Sequence, residues 1–90
     1  MAHTIREKNK LIARVRRIRG QIEAVERTLE SESECAAVLQ LIASVRGAVN
    51  GLMAEVIEGH IREHVRDPVG NAERAKGADE LIEVVKAYLK

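Results

Sequence analysis

The sequence predicts an all-α protein built from three helices. No stretch alternates apolar and polar side chains with period two, and only one Pro and six Gly interrupt the 90 residues. Apolar residues recur instead every three or four positions, which is the spacing of one helix face. A chain of this length has room for one small core, so we expect residues 1–90 to form a single domain.

The first helix is predicted over residues 4–30. Its apolar positions follow a 4-3-4-3-4 rhythm, the pattern of a helix that packs lengthwise along a partner helix. These positions are Leu11, Val15, Ile18, Ile22, Val25 and Leu29.

A polar turn is predicted at 31–34, and a second helix follows over 35–65. Ser33 is the expected N-cap of that helix, because a serine oxygen accepts hydrogen bonds from the first free amides. Residues 67–71 contain Pro68 and Gly70 and are expected to end it. A short third helix is predicted over 73–89, with Leu81, Ile82 and Val85 on one side.

Two long helices and a short one leave much apolar surface uncovered in so small a chain. We therefore expect the first two helices to form an antiparallel hairpin and two hairpins to pair into a four-helix bundle. Higher assembly of such bundles is compatible with this pattern.

Composition excludes several classes of function. The chain has one Tyr and neither Phe nor Trp, so it lacks an aromatic platform for stacking single-stranded nucleic acid. A single Cys excludes an internal disulfide and a zinc finger within one chain. We expect a soluble, cytoplasmic protein with no membrane partner, because no apolar run approaches the ~20 residues of a membrane span. An enzyme is not expected, because no acid or oxyanion loop accompanies a Cys–His pair.

The first helix divides into a basic and an acidic half. Residues 6–19 contain seven basic side chains against one acid, and residues 21–34 contain five acids against one base. Arginine predominates in the basic half, and its planar fork suits phosphate, so double-stranded DNA is one expected partner. The alternative is a solvated face with salt bridges to the acidic half of an antiparallel neighbour. The helices are too long for a helix-turn-helix.

One thiol and two imidazoles form a second group of candidate functional residues. At ~100° per residue, Cys35, His60 and His64 fall on one stripe of a continuous helix, yet Cys35 and His60 are about 37 Å apart along it. An antiparallel partner helix brings the Cys35 end of one chain beside the His60 and His64 end of the other. Two equivalent metal sites, each shared between two chains, are therefore predicted.

The N-terminal segment offers further ligands for such a site. His3 or the terminal amine is a candidate fourth ligand, and a thiolate with imidazoles suits Zn(II), Co(II), Ni(II) or Cu. Taken singly, each residue also has an ordinary interpretation: a lone Cys is often a small buried hydrophobe, and His near a helix C-terminus favours its dipole.

Four runs of the chain carry a wider pattern: RVRRIRGQ at 14–21, CAAVLQ at 35–40, RGAVNGLM at 46–53 and HIREH at 60–64. They resemble the CsoR/RcnR/FrmR family of bacterial repressors over nearly the whole chain. The resemblance implies a tetramer of helical hairpins that binds operator DNA without effector and is released when effector binds. It also implies the DNA-contacting residues, which are Lys10, Arg14, Arg16, Arg17, Arg19 and Arg46.

The branches of this family differ in effector. The copper branch uses Cys–His–Cys, and His64 at the third position disfavours Cu(I) here. The nickel and cobalt branch, RcnR or DmeR, uses the terminal amine, an early His and a Cys–His–His set, which His3, Cys35, His60 and His64 match.

The formaldehyde branch joins the Cys to an N-terminal amine, often that of Pro, through a methylene bridge. Here, after removal of Met1, the pair would be Cys35 and the amine of Ala2, and the arginine-rich run at 14–19 resembles that branch. The prediction is a repressor released by nickel, cobalt or zinc. A formaldehyde-responsive repressor is the alternative, and a helical metal-binding or assembly module with no DNA role is a further one.

Overall fold

The computed structural model describes residues 3–90, apart from the side chains of His3 and Arg6. A short helix precedes three long ones, and a π-helical segment extends the second long helix. The elements are α1 (His3–Arg6), α2 (Lys8–Glu30), α3 (Cys35–His60), the π-helix (Ile61–Arg66) and α4 (Asn71–Tyr88). Residues 3–90 contain no strand, and the all-α, three-helix prediction is confirmed.

The chain divides into two compact units. One unit, Glu7–Met53, holds α2, the following turn and the first part of α3. The other contains α1 together with Ala54–Lys90, and so holds the end of α3, the π-helix and α4. The single domain expected over 1–90 stays a prediction.

The first predicted helix is interrupted near its start. The sequence predicts one helix over 4–30, but Glu7 has φ −100° and ψ 17° and separates α1 from α2. The amide of Leu11 donates to the Glu7 carbonyl at 3.0 Å and so closes the first turn of α2. Neither Gly nor Pro marks this break, so residue preference alone does not reveal it.

Within the Glu7–Met53 unit, the chain turns back between α2 and α3. The regularly spaced apolar residues of α2 form two stripes along the helix. Leu11, Ile18 and Val25 are buried or half-buried, with Ile18 only 9% exposed. Val15, Ile22 and Leu29 form the second stripe and are 49%, 52% and 59% exposed. The apolar face predicted for α2 therefore consists of an inner stripe that is at least half-buried and an outer stripe. The outer stripe stays exposed to solvent in a single chain.

The turn between α2 and α3 is closed by a Schellman motif. The Ser33 amide donates to the Thr28 carbonyl at 3.3 Å and the Glu32 amide to the Leu29 carbonyl at 3.1 Å. Glu32 takes the left-handed conformation that this motif requires, with φ 55°. The N-cap role predicted for Ser33 is wrong: its hydroxyl pairs with that of Ser31 at 2.8 Å, and Glu34 precedes the first residue of α3.

Replacing Glu32 by glycine is expected to stabilise the protein. A side chain in the left-handed region costs about 1–2 kcal/mol, whereas glycine adopts it without a Cβ clash. The free energy of unfolding, measured by urea denaturation at fixed protein concentration, should rise by about 1 kcal/mol. Glu26→Gly, inside α2, is the matched control and should lower it by about 1 kcal/mol. If the midpoint of urea denaturation were unchanged or lower for Glu32→Gly, the predicted stabilisation would be contradicted.

In the unit that contains Ala54–Lys90, α3 continues directly into the π-helix, whose turns are wider. The sequence predicts an α-helix to residue 65, but Ile61–Arg66 is π-helical, and the Asp67 amide donates to the Arg62 carbonyl at 3.0 Å. Such one-turn widenings often occur at functional sites.

The connection to α4 is held by two arginines. Nε of Arg74 donates to the Pro68 carbonyl at 2.6 Å, and Nε of Arg66 donates to the Asp67 carboxylate at 2.7 Å. The hydrogen bond to Asp67 and its charge raise the pKa of Arg66. The third helix begins at Asn71 rather than 73, so Asn71 belongs to α4 and not to the terminator predicted at 67–71.

Helix α4 packs directly on the π-helix at Gly77, which is buried. A Cβ built on Gly77 would lie 2.7 Å from the carbonyl carbon of His64 and closer still to its oxygen. Because a backbone group cannot move aside as a flexible side chain does, only glycine permits this approach.

The segment Cys35–Arg66 is long and apolar enough, by length and composition alone, to cross a membrane. This differs from the expectation that no apolar run approaches that length. It is weak evidence for a membrane protein, because a core helix of a soluble protein passes the same test.

Candidate metal centre and nucleic-acid interface

His60 and His64 lie next to each other where α3 passes into the π-helix. Their ring centroids are 4.8 Å apart, and the ring planes are tilted by 42°. Both residues are half-buried, and Nε2 of His60 lies 2.9 Å from the carbonyl oxygen of Gly77. The two imidazoles predicted to share a helix face are therefore adjacent and oriented by neighbouring structure.

The surroundings of His64 are predominantly acidic. An open cleft of about 600 Å³ lies between the π-helix and α4, and His64 lines it. Four carboxylates and a single lysine share this lining, and a surplus of negative charge favours a bound cation. The carboxylates are those of Glu63, Asp67, Glu73 and Glu80, and the lysine is Lys76.

The described part of one chain does not bring together a full set of metal ligands. Within the described part of the chain, no three His, Cys, Asp or Glu side chains are grouped so as to hold an ion. Cys35 is an exposed free thiol at the first residue of α3 and belongs to the Glu7–Met53 unit. The sequence assigns the thiol to a second copy, and that assignment stays a prediction.

Part of the N-terminal segment that offers candidate metal ligands lies outside the described residues. Ala2 and the side chain of His3 lie outside the described residues. Helix α1, which begins at His3, belongs to the same compact unit as His60 and His64. The backbone of His3, one candidate for the fourth ligand, thus belongs to the unit of the histidine pair.

Most of the arginines predicted to contact DNA project into solvent. Arg16, Arg17, Arg19 and Arg46 are exposed, and none of their side chains forms an ion pair or hydrogen bond with another described residue. Lys10 is exposed but has a contact within the chain. Arg14 is half-buried, and its guanidinium lies 3.2 Å from the place of a Cβ on Gly51. We infer that Arg14 packs along the hairpin whereas the other four arginines are open to a ligand.

Among the described residues of one chain, the acidic half of α2 does not neutralise this basic surface. Its carboxylates are exposed, and none forms an ion pair with a described residue: Glu23, Glu26, Glu30, Glu32 and Glu34. The salt bridges of the alternative interpretation would need a second copy. Unpaired, exposed arginines are what a phosphate-binding surface requires.

Sequence reasoning missed Gly77 and the acidic lining contributed by α4. Gly77 is an isolated glycine inside a helix, a signal that often has a packing reason. The sequence does not identify the residues that Gly77 contacts, because they are distant from it in the chain.

Comparison with known proteins places this architecture in one family. A family model for metal-sensitive transcriptional repressors matches residues 7–87. The chain is 56% identical, over 100% of both sequences, to an uncharacterized protein in the bioA 5′ region of Serratia marcescens. It is 50% identical, again over 100% of both, to the transcriptional repressor RcnR of Salmonella paratyphi B.

A solved structure agrees with these relatives. It is that of the formaldehyde-responsive regulator FrmR from Salmonella enterica serovar Typhimurium, in a variant with one glutamate replaced by histidine. The TM-score is 0.82 at 48% identity, covering 92% of this chain and 94% of that one. The resemblance to the CsoR/RcnR/FrmR family is confirmed. The chain therefore belongs to the family of metal-sensitive transcriptional repressors, and it is a repressor rather than an enzyme.

Proposed function

We propose that this repressor binds operator DNA without effector and releases it when Ni(II) or Co(II) binds at a Cys/His site shared between subunits. The adjacent pair of imidazoles at His60 and His64 is the observation that carries this proposal. Zn(II) is a further candidate, because it accepts the same donor atoms. A bacterial repressor of this kind acts in the cytoplasm, where its operator lies.

The residues present fit such an ion. Imidazole suits nickel, cobalt and zinc, and the two rings stand 4.8 Å apart on consecutive helical turns. The acidic cleft beside His64 adds an attractive field for a divalent cation. A bound metal supplies a fixed coordination geometry, which draws its ligands into one arrangement.

The remaining ligands are expected from elsewhere in the assembly. Cys35 of a second copy supplies the thiolate, and His3 or the terminal amine completes the set. The outer apolar stripe of α2, at Val15, Ile22 and Leu29, stays exposed in one chain and is available for pairing with that copy. A homodimer of hairpins, assembled further into a homotetramer, presents several basic surfaces to duplex DNA.

Release follows from coupling between the two sites. If Cys35 of one chain and the histidines of another held one metal ion together, they would favour one arrangement of the subunits over another. If the favoured arrangement no longer matches the exposed arginines to the duplex, operator affinity falls. Coupling of about 1–3 kcal/mol changes affinity 5–150-fold, which is sufficient to switch a gene.

A formaldehyde-responsive repressor is the second candidate, favoured by the structural match to FrmR. The thiol of Cys35 and the N-terminal amine at Ala2 would condense with formaldehyde. Sulfur and nitrogen each bond to the same carbon, each gives up one proton, and the aldehyde oxygen leaves as water. Membership in a repressor family favours both candidates over an assembly module with no DNA role.

Parallel titration of the repressor–DNA complex separates the candidates. The full-length protein, bound to the DNA upstream of its own gene, is titrated with Ni(II), Co(II), Zn(II), Cu(I) and formaldehyde, and release is followed by fluorescence anisotropy. We expect release by Ni(II) or Co(II) at the lowest concentrations. Release by formaldehyde alone would contradict the metal proposal and support the second candidate.

Replacing His64 by alanine tests the same question from the protein side. The variant lacks one of two adjacent imidazoles, so the metal concentration needed for release should rise at least about tenfold. Formaldehyde chemistry needs only the thiol and the amine, so any release by formaldehyde should be unchanged. An unaltered metal response in His64→Ala, measured by the same titration, would remove His64 from the site.

A further inference from the structure

We propose that Gly77 is a positioning residue, whose backbone carbonyl determines which ring nitrogen of His60 is presented to the effector. This inference rests on the proposed metal function but concerns a residue outside the predicted ligand set. Gly77 lies in α4, 17 residues after His60, and as a glycine it has no side chain with which to bind an ion.

The hydrogen bond between His60 and Gly77 has only one possible direction. A carbonyl oxygen accepts and never donates, so Nε2 of His60, at 2.9 Å, must carry the hydrogen. In a neutral imidazole the other nitrogen, Nδ1, then holds the lone pair. Metal-ligating histidines commonly donate their second ring N–H to a carbonyl or carboxylate in this way. The structure thus assigns Nδ1 of His60 as the ligand atom.

The absence of a side chain at residue 77 makes this hydrogen bond possible. A Cβ there would overlap the carbonyl group of His64 and lie 3.0 Å from its Cβ. Gly77 therefore contacts both histidines. Its carbonyl oxygen accepts the hydrogen bond from the ring of His60, and the Cα of Gly77 packs on the backbone of His64. Any larger residue would displace α4 from the π-helix and with it the acceptor of the His60 ring.

The tautomer is observable without any metal. Long-range ¹H–¹⁵N correlation spectra of the metal-free, full-length protein distinguish a protonated ring nitrogen from one with a lone pair. In the neutral imidazole, we expect Nε2 of His60 to be protonated and Nδ1 to carry the lone pair. The opposite tautomer, or rapid averaging between the two, would overturn the proposal.

Zn(II), which is diamagnetic, then reports the ligating atom in the same spectra. We expect the Nδ1 resonance of His60 to shift on saturation while Nε2 keeps its hydrogen. Coordination through Nε2 would overturn the assignment and leave the metal function intact. If the metal-free tautomer is as stated but Zn(II), Ni(II) and Co(II) all leave the His60 signals unchanged, the metal function fails while the tautomer assignment is supported.

Gly77→Ala tests the positioning role directly. We expect Ni(II) affinity to fall about 10–100-fold, the usual effect of removing a partner of a metal ligand, although every ligand is retained. The His60 spectrum of the metal-free variant should lose its tautomer preference. Gly70→Ala is the matched control: residue 70 is exposed, with nothing within 4 Å of a Cβ, and should leave affinity and tautomer unchanged.

A merely structural role for Gly77 has a different signature. Loss of helix would appear in far-ultraviolet circular dichroism and in a lower melting temperature. If Gly77→Ala lowers the melting temperature but keeps both the Nε2-protonated tautomer of His60 and the wild-type Ni(II) affinity, the positioning role is overturned. The wild-type spectra decide the tautomer even if the variant fails to fold.

Discussion

Cys35→Ala is expected to produce a repressor that binds its operator normally and no longer responds to effector. Cys35 is the only thiol in the chain. Both of the proposed effector chemistries use it. It is exposed at the start of α3 and belongs to the Glu7–Met53 unit, so its replacement removes no core packing. The ratio of operator affinities without and with Ni(II), expected to be about 5–150 in the wild type, should fall to about 1.

Ser33→Ala is the matched control for this variant. Ser33 lies two residues earlier in the chain, is exposed, and makes its hydroxyl contact with Ser31. Its operator affinity and Ni(II) response should both equal those of the wild type. A Cys35→Ala protein that still releases DNA at the wild-type Ni(II) concentration would show that the effector site lies elsewhere.

Mixed oligomers test whether the site is shared between subunits. One chain carries Cys35→Ala, and the other carries His60→Ala and His64→Ala, so neither chain holds a full ligand set. If the thiol of one subunit meets the histidines of the other, half of the sites in a mixed dimer are complete and Ni(II) binding is restored. Failure of the mixture to bind Ni(II), when the wild type does, would contradict a shared site.

Much of the helical architecture was predictable because it depends on short-range patterns. The 3-4 spacing of apolar residues predicts α2, and the polar run at 31–34 marks the turn before Cys35. The interruption at Glu7 was not predictable, since no Gly or Pro lies there. The Schellman motif was missed for a related reason: a glutamate, Glu32, occupies the position that glycine usually takes.

The geometry of the candidate site was predictable only where helical spacing determines it. An i, i+4 pair places His60 and His64 side by side, and the ring separation of 4.8 Å agrees with that expectation. The Gly77 carbonyl comes from another helix, so no local rule in the sequence indicates it as a partner of His60. The burial of Arg14, compared with the exposure of Arg17, likewise depends on how α2 packs in the hairpin.

Arg17→Ala is expected to weaken operator binding strongly. Arg17 lies in the basic half of α2, is exposed, and forms no ion pair or hydrogen bond with another described residue, so it is available to a phosphate. A charge-assisted hydrogen bond contributes about 1.5–3 kcal/mol, so removing one arginine–phosphate bond should reduce affinity at least about tenfold. Every subunit of an oligomer carries the substitution, which multiplies the effect when several subunits bind one duplex.

The dependence of affinity on salt shows whether the interaction made by Arg17 is electrostatic. The slope of log K against log[salt] should become less negative by about 0.9 for each phosphate that the variant no longer neutralises. Arg27→Ala is the matched control, because Arg27 is an exposed arginine of the same helix within its acidic half. It should leave both affinity and slope close to the wild-type values. If Arg17→Ala and Arg27→Ala have equal effects, the basic half of α2 is not the DNA-binding surface, and the exposed arginines must act by pairing with another copy.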